Sequence, residues 1–406
     1  MPDKKITTAF LAEVPKTDLH VHLDGSLRLG TLIELSRQHK LKLPSYTEGG
    51  LRETVYKDRY ASLGEYLKGF KYTVSAMRDA EALERVAAEL AEDNQAEGVR
   101  YLEVRFAPQL HVRPGLDAVQ VIAAVDRGLR RARDEFNRRP AMASGAEPPF
   151  EYGIICCAMR MFSGGYSQYY DTLFAAHPYT RPKDLFAMAS VDLAHAAVLA
   201  RDAHGYQVVG FDLAGEEAGY PAGAHREAYD YAHRHFLKRT VHAGEAYGPE
   251  SIFQAITDLH ADRIGHGTYL LEPDQIRDPE IADPEHYVER LGNYISDRRI
   301  TLEVCLTSNL QTNPDLKRLE DHTFSKLRAQ RLSTTLCTDN RLMSNTTMTN
   351  ELALAIRHLG LDRQGLKSII IYGFKRSFFP GSYLRKRQYV RQIIDHYDAV
   401  ERRHFG

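Results

Sequence analysis

The sequence predicts an α/β chain folded as a (β/α)8 TIM barrel, one domain over residues 1–406 with loop and helix insertions. Two observations point there. Eight short β-rich runs recur along the chain, mostly separated by helical stretches; such alternation builds a parallel sheet, and eight units close a barrel. Residues with metal-binding chemistry also gather at the carboxyl ends of several of these runs, the end at which a barrel carries its site.

The first run, residues 18–23, leads into an Asp24-Gly25 turn. Side chains alternate faces along a strand, so His20 and His22 project to the same side. Leu83, Val86, Ala87 and Leu90 then recur at helical spacing ahead of the second run, 101–106. The third, fourth and fifth runs are 152–158, 208–213 and 239–243. Pro249-Glu250-Ser251 opens another helix, with proline at a tolerated first-turn position. The sixth run, 263–267, is very short; 301–306 and 334–338 complete the set. Residues 138–149 and 272–285 each hold three prolines and read as insertions, the first a surface loop and the second leading into a short helix. Neither separates two independently patterned halves, and no repeat longer than the βα unit is present.

The 53 basic and 54 acidic residues balance, so no global field draws nucleic acid or an anionic membrane. Arg385-Lys386-Arg387 reads as a solvated helix face. No apolar run approaches the roughly 18 residues of a bilayer span. The start, Met-Pro-Asp-Lys-Lys, shows no apolar signal region behind it. Cys156, Cys157, Cys305 and Cys337 lie in apolar runs without a Cys-x-x-Cys pair, as expected of reduced, buried thiols in a cytoplasmic protein.

The strand-end residues sort by chemistry. His20 and His22 end the first run, Asp212 and Gly215 the fourth, His242 and Glu245 the fifth, His266 the sixth and Asp339 the eighth. Three neutral histidines and a carboxylate complete a zinc shell with room for a water, so His20, His22, His242 and Asp339 are the expected ligands of one zinc ion per chain. The fourth run has no lysine to bridge a second metal. His266, between two glycines, is placed to orient or deprotonate that water; the plainer alternatives are a fifth ligand or a turn residue. Glu245, three residues past a ligand, is expected to face substrate and to shuttle protons. Arg160 is expected to pair with a neighbouring carboxylate. Glu103 and Arg105 point to one side of the second strand, equally suited to buried ion pairing and to catalysis. Thr307-Ser308-Asn309 suits either a pocket mouth or a polar turn. Tyr66 and Phe70, at i and i+4, form a helix packing stripe.

Six segments together resemble the adenosine deaminase family of metal-dependent amidohydrolases. They are His-Val-His-Leu-Asp-Gly at 20–25, Tyr-Leu-Glu-Val-Arg-Phe-Ala-Pro at 101–108, Asp-Leu-Ala-Gly at 212–215, His-Ala-Gly-Glu at 242–245, Gly-His-Gly at 265–267 and Leu-Cys-Thr-Asp at 336–339. The resemblance implies a zinc barrel that converts adenosine and water to inosine and ammonia, with a small purine nucleoside as its partner. It assigns His20, His22, His242 and Asp339 to zinc, Glu245 to protonating purine N1 and His266 to the attacking water. It also places Asp24 near the ribose, Gly215 near purine N3, and residues 62–70, with Tyr66 and Phe70, as a lid helix over the sugar. One common version of the family has two adjacent aspartates where this chain has Asp339-Asn340. Asn340 contacts purine N7 in this scheme, and its neutral amide donates there without needing an added proton. The Pro-Cys-x-x-Cys signature of cytidine-type deaminases is absent. Alternatives within the same chemistry are 6-amino-6-deoxyfutalosine, a 5′-thio-adenosine or free adenine. A catalytically silent, zinc-stabilised binding protein is the alternative from another class, but it has no need of Glu245 or His266.

Overall fold

Eight parallel strands are arranged in sequence order in the computed structural model, which describes residues 5–406. Residues 1–4, part of the start read for targeting, lie outside the described residues. The strands are β1 (Lys16–His22), β2 (Val99–Phe106), β3 (Glu151–Met159), β4 (Val208–Ala214), β5 (Lys238–Ala243), β6 (Arg263–His266), β7 (Thr301–Val304) and β8 (Thr334–Leu336). Each pairs with the next. The ring closes through a parallel bridge between Val21 and Asp339, where Asp339 N–H donates to His20 and His22 N–H donates to Asp339. The expected (β/α)8 TIM barrel is therefore the fold.

Alternation explains how the strands serve two environments. On β1, Leu19 and Val21 are fully buried among the core side chains, while His20 and His22 turn toward the barrel axis. On β2, Leu102, Val104 and Phe106 join the apolar core, and Glu103 and Arg105 take the other face. Helices cover the outside with their apolar faces. Ala80–Ala96, capped by the Asp79 side chain at Ala82 N–H, buries Leu83, Val86, Ala87 and Leu90. Ala118–Asn137 starts on a reciprocal capping box between Asp117 and Gln120. Pro249–Thr257 begins at the proline, as its sequence indicates. Among the described residues, no helix is long and apolar enough to cross a membrane.

Three expectations need correction. The lid at 62–70 is not one helix: Leu63–Leu67 and Phe70–Ala76 are separate, joined at Gly69, which sits against Tyr56 and Met343. Glycine is a poor helix interior residue, and its lack of a side chain allows that close packing. The seventh run stops at Val304, and Leu306–Thr312 is helical, so Thr307, Ser308 and Asn309 occupy a first helical turn rather than a polar loop. The 138–149 insertion contains a single helical turn, Pro140–Ala143, and Asn137 closes its base through two hydrogen bonds to the backbone of Phe150.

Candidate active site

A buried ion network fills the barrel below the site. Arg105 donates to Asp212 at 2.8 Å and to Glu303 at 2.7 Å. Arg263 donates to Glu303 at 2.6 Å and also pairs with Glu103. Glu103 and Arg105 thus serve structural ion pairing. The network also orients two histidines. Glu303 accepts from His20 Nδ1 at 2.9 Å, and Asp212 Oδ1 accepts from His242 Nδ1 at 3.3 Å. Although burial alone would favour protonation, His242 and then Arg105 hold the Asp212 carboxyl, and Arg105 and Arg263 the Glu303 carboxyl, well below their usual range. Each carboxylate therefore fixes the proton of its imidazole on Nδ1 and turns a bare Nε2 toward the axis, the arrangement that prepares histidine for a metal.

Four donors converge there. Asp339 Oδ1 lies 3.5 Å from Nε2 of both His20 and His22, and His22 Nε2 lies 3.1 Å from His242 Nε2. One ligand atom from each of these four buried residues lies within 4.8 Å of all the others. His20 Nε2 is buried without a hydrogen-bond partner. Nitrogen lone pairs and a carboxylate gathered in a buried space are costly unless a cation sits among them. The set fits a divalent metal ion with nitrogen and oxygen ligands.

Glu245 stands beside this cluster, with Oε2 3.6 Å from His266 Nε2. Burial first, then the charges of Asp339 and Glu217, push its carboxyl well above the usual range, against the pull of Arg160. Burial and the nearby His20 hold His266 well below its ordinary value, hence neutral. His266 and Asp339 both have left-handed backbones, with φ of 65° and 62°. Non-glycine residues pay a strain penalty in this region, and such residues gather at functional sites.

The remaining expected site residues surround the cluster. Asp24 is buried with Oδ1 unpartnered, and burial pushes its carboxyl up to about 7. Gly215 has φ of 103°, and the backbone rather than lack of space calls for glycine. Asn340 is buried against Gly25, where an added Cβ would stand 1.8 Å from Asn340 Oδ1. The Tyr66 hydroxyl lies 3.1 Å from Ser344 Oγ, and the Phe70 ring is 6.4 Å from the Tyr66 ring across the break between their helices. Arg160 departs from expectation. It donates to the backbone carbonyls of Tyr220 and His242 instead of pairing with a carboxylate.

Sequence reasoning missed Glu217, and it marked Ser308 and Asn309 only as a pocket mouth or a polar turn, without their partners. Glu217 accepts from the backbone N–H groups of Gly244, Glu245, Ala246 and Tyr247 and from the Ser251 hydroxyl, holding the loop that carries Glu245. Ser308 donates to Asp339 Oδ2 at 2.6 Å, and Asn309 meets His266 Nδ1 at 3.1 Å. The small-residue His-Ala-Gly-Glu turn signalled exposed backbone donors, but nothing in the spacing chose between Glu216 and Glu217 as their acceptor. A cavity of about 560 Å³ lined by Arg299, Arg328, Arg331 and Arg376 flanks the start of β8, at the opposite end of the barrel, and includes none of these residues.

Comparison with known proteins agrees with this geometry. Residues 15–396 match the family model described as adenosine deaminase. The chain is 36% identical over 376 residues to adenosine deaminase 1 of Streptomyces coelicolor, covering 91% of this chain and 84% of the relative. It is also 36% identical to an adenosine deaminase of Mycobacteroides abscessus, covering 91% of this chain and 92% of the relative. The apo structure of the N6-methyl-AMP deaminase from Arabidopsis thaliana superposes with a TM-score of 0.70 at 26% identity, covering 96% of this chain and 98% of that one. With a family match over nearly its whole length, this chain belongs to the adenosine deaminase family.

Proposed function

We propose that this chain is a zinc-dependent hydrolytic deaminase of a purine nucleoside, converting adenosine and water to inosine and ammonia. The observation that carries this reading is the buried convergence of His20, His22, His242 and Asp339 beside Glu245, whose carboxyl burial pushes well above its usual range. Zinc bound by those four residues supplies a water activated at neutral pH, its pKa lowered to about 7.

The chain's own residues supply the proton traffic. Glu245 gives its proton to purine N1, which draws electron density from C6 and opens it to attack. The carboxylate so formed takes one proton from the attacking water as the C6–O bond forms. It passes that proton to the amino group as the C6–N bond breaks and ammonia leaves. The remaining hydroxyl proton returns to Glu245 as the C6 carbonyl forms, so the acid is regenerated. His266 orients the water. Asp24, with a buried and unpartnered oxygen, takes a ribose hydroxyl. Gly215 approaches N3, Asn340 donates to N7, and Tyr66 and Phe70 cover the sugar. A cytoplasmic location fits the four free, buried cysteines.

Ammonia release from adenosine, deoxyadenosine, adenine, methylthioadenosine and 6-amino-6-deoxyfutalosine tests the reading, with adenosine expected to lead. Glu245→Gln should retain about one zinc per chain and lose at least about 10²-fold in turnover. Wild-type turnover in that variant, or no release from any compound, defeats the proposal.

A further inference from the structure

A chain of hydrogen bonds behind His266 has a direction that can be read from one end. The Phe324 backbone N–H can only donate, and it meets His322 Nδ1 at 3.0 Å. His322 Nδ1 is therefore the acceptor. Burial holds His322 down to about 4, so the ring is neutral and carries its single proton on Nε2. That Nε2–H donates to Asn309 Oδ1 at 3.2 Å. With its oxygen so engaged, Asn309 presents its amide Nδ2–H to His266 Nδ1 at 3.1 Å. An imidazole nitrogen that accepts a hydrogen bond has no proton of its own, and a neutral ring then bears its proton on the other nitrogen. Every link is buried.

We infer that Asn309 and His322 are positioning residues that fix His266 as the Nε2–H tautomer, so that His266 donates a hydrogen bond into the site rather than taking a proton from it. His266 Nε2 is the atom that faces Glu245 Oε2, 3.6 Å away. The contrast within the site is informative. His20 and His242 have carboxylates behind them and turn a bare Nε2 inward, whereas His266 has an amide behind it and turns an N–H inward. The residue type behind each ring decides whether it ligates or donates. A donor held there orients the lone pairs of the attacking water toward C6 and leaves proton acceptance to the Glu245 carboxylate. This inference deepens the proposed deamination and rests on it for its catalytic meaning, though not for the tautomer itself.

Asn309→Asp provides the sharpest test. The shape is conserved, but an ionised carboxylate only accepts, so it draws the His266 proton to Nδ1 and leaves Nε2 bare. A donor role predicts that kcat falls at least about 10-fold with KM nearly unchanged; a wrong imidazole tautomer costs up to about 10⁴-fold in serine proteases. A base role for His266 predicts the opposite sign, because a carboxylate behind the ring is how a histidine base is built, and wild-type or higher kcat would overturn the inference. The second readout is independent of turnover. Nitrogen-15 spectra of histidine-labelled, metal-loaded protein, with His266 assigned by its loss in His266→Ala, should show Nδ1 unprotonated and Nε2 protonated at neutral pH. The pattern should reverse in Asn309→Asp. A protonated Nδ1 in the wild type, or a pattern unchanged by Asn309→Asp despite lost activity, refutes the relay. If the expected tautomer is found but no adenosine compound is deaminated, the functional reading fails and the relay stands.

Discussion

At the scale of single residues, Glu217 holds the backbone of the loop that carries Glu245. Four backbone N–H groups and a hydroxyl converge on its carboxylate, and its charge adds to the burial and the Asp339 charge that raise the Glu245 carboxyl. Glu217→Gln places amide hydrogens against that nest of donors and displaces the loop. A shift of about 1 Å in catalytic geometry costs on the order of 10²-fold, so kcat should fall by about that factor while zinc content stays at one per chain. The pH profile carries a second signature. In the proposed mechanism activity needs Glu245 protonated and should fall as pH rises through its raised pKa; removing the Glu217 charge lowers that pKa, so the alkaline limb should move to lower pH. A stationary limb would show that Glu217 acts on loop position alone. Gly25 is the other residue to test. A Cβ there would stand 1.8 Å from Asn340 Oδ1, so Gly25→Ala must displace Asn340. Loss of one buried hydrogen bond costs about 1–3 kcal/mol, or about 5- to 150-fold in kcat/KM for adenosine. With 7-deazaadenosine, which lacks the N7 acceptor, Gly25→Ala and Asn340→Ala should change little, and the losses should be non-additive. Equal losses on both substrates would remove the N7 contact.

At the scale of elements, the strand ends were legible because strand alternation and metal chemistry both leave marks at short range. His20 and His22 reveal themselves by their spacing, and His242, His266 and Asp339 by ending β-rich runs. What stayed hidden depends on partners remote in the chain. Glu303 lies 283 residues from the His20 it orients, and Glu217 is 28 residues from Glu245. Asn309 and His322 act through hydrogen bonds that no periodicity encodes. The break in the lid escaped because one glycine between apolar residues is compatible with a helix until its packing against Tyr56 and Met343 is seen. The first helical turn after β7 and the loop after β8 are tied by a further buried acid. Glu351, on helix Met348–His358, accepts from Thr307 N–H at 3.2 Å, from the Thr307 hydroxyl, and from Thr346 Oγ1 at 2.6 Å. Burial pushes its carboxyl up to about 7 despite these bonds. The raised value sets the sign: the fold is favoured below the ordinary carboxyl range and loses that advantage as pH rises from about 4.5 to 7. Each step of one in pKa is worth about 1.4 kcal/mol, so the loss approaches about 3 kcal/mol. Glu351→Gln should flatten this stretch of the stability profile in denaturant titrations of chelated protein. An unchanged slope would mean that the acid is ionised at little cost.

At the scale of the whole molecule, a metal held by the four proposed ligands should stabilise the barrel that gathers them. The ring closes through Asp339, which is also a proposed ligand, while His20 and His22 come from β1 and His242 from β5. An ion held by these residues links the closing seam to the opposite side of the sheet. Folding must bring the four donors together at a cost, and a ligand that binds only the folded state repays it by mass action. Free metal at about a thousand times its dissociation constant adds about 4 kcal/mol. For a chain of this length that is on the order of 5 °C in melting temperature. The gap between metal-loaded and chelated protein should depend on pH with a definite sign. Histidine ligates only when unprotonated, so metal affinity, and the gap with it, should shrink as pH falls. The loss should come first through His20, which Asp339 and Glu303 hold above the ordinary histidine value despite burial, and then through His22 and His242, which burial holds below it. Thermal melts with and without chelator from pH 5 to 8 measure this directly. His242→Ala provides the control: with one donor gone, chelator should leave its melting temperature unchanged at every pH. A chelator effect of wild-type size in that variant would place the ion elsewhere in the molecule and remove His242 from its shell.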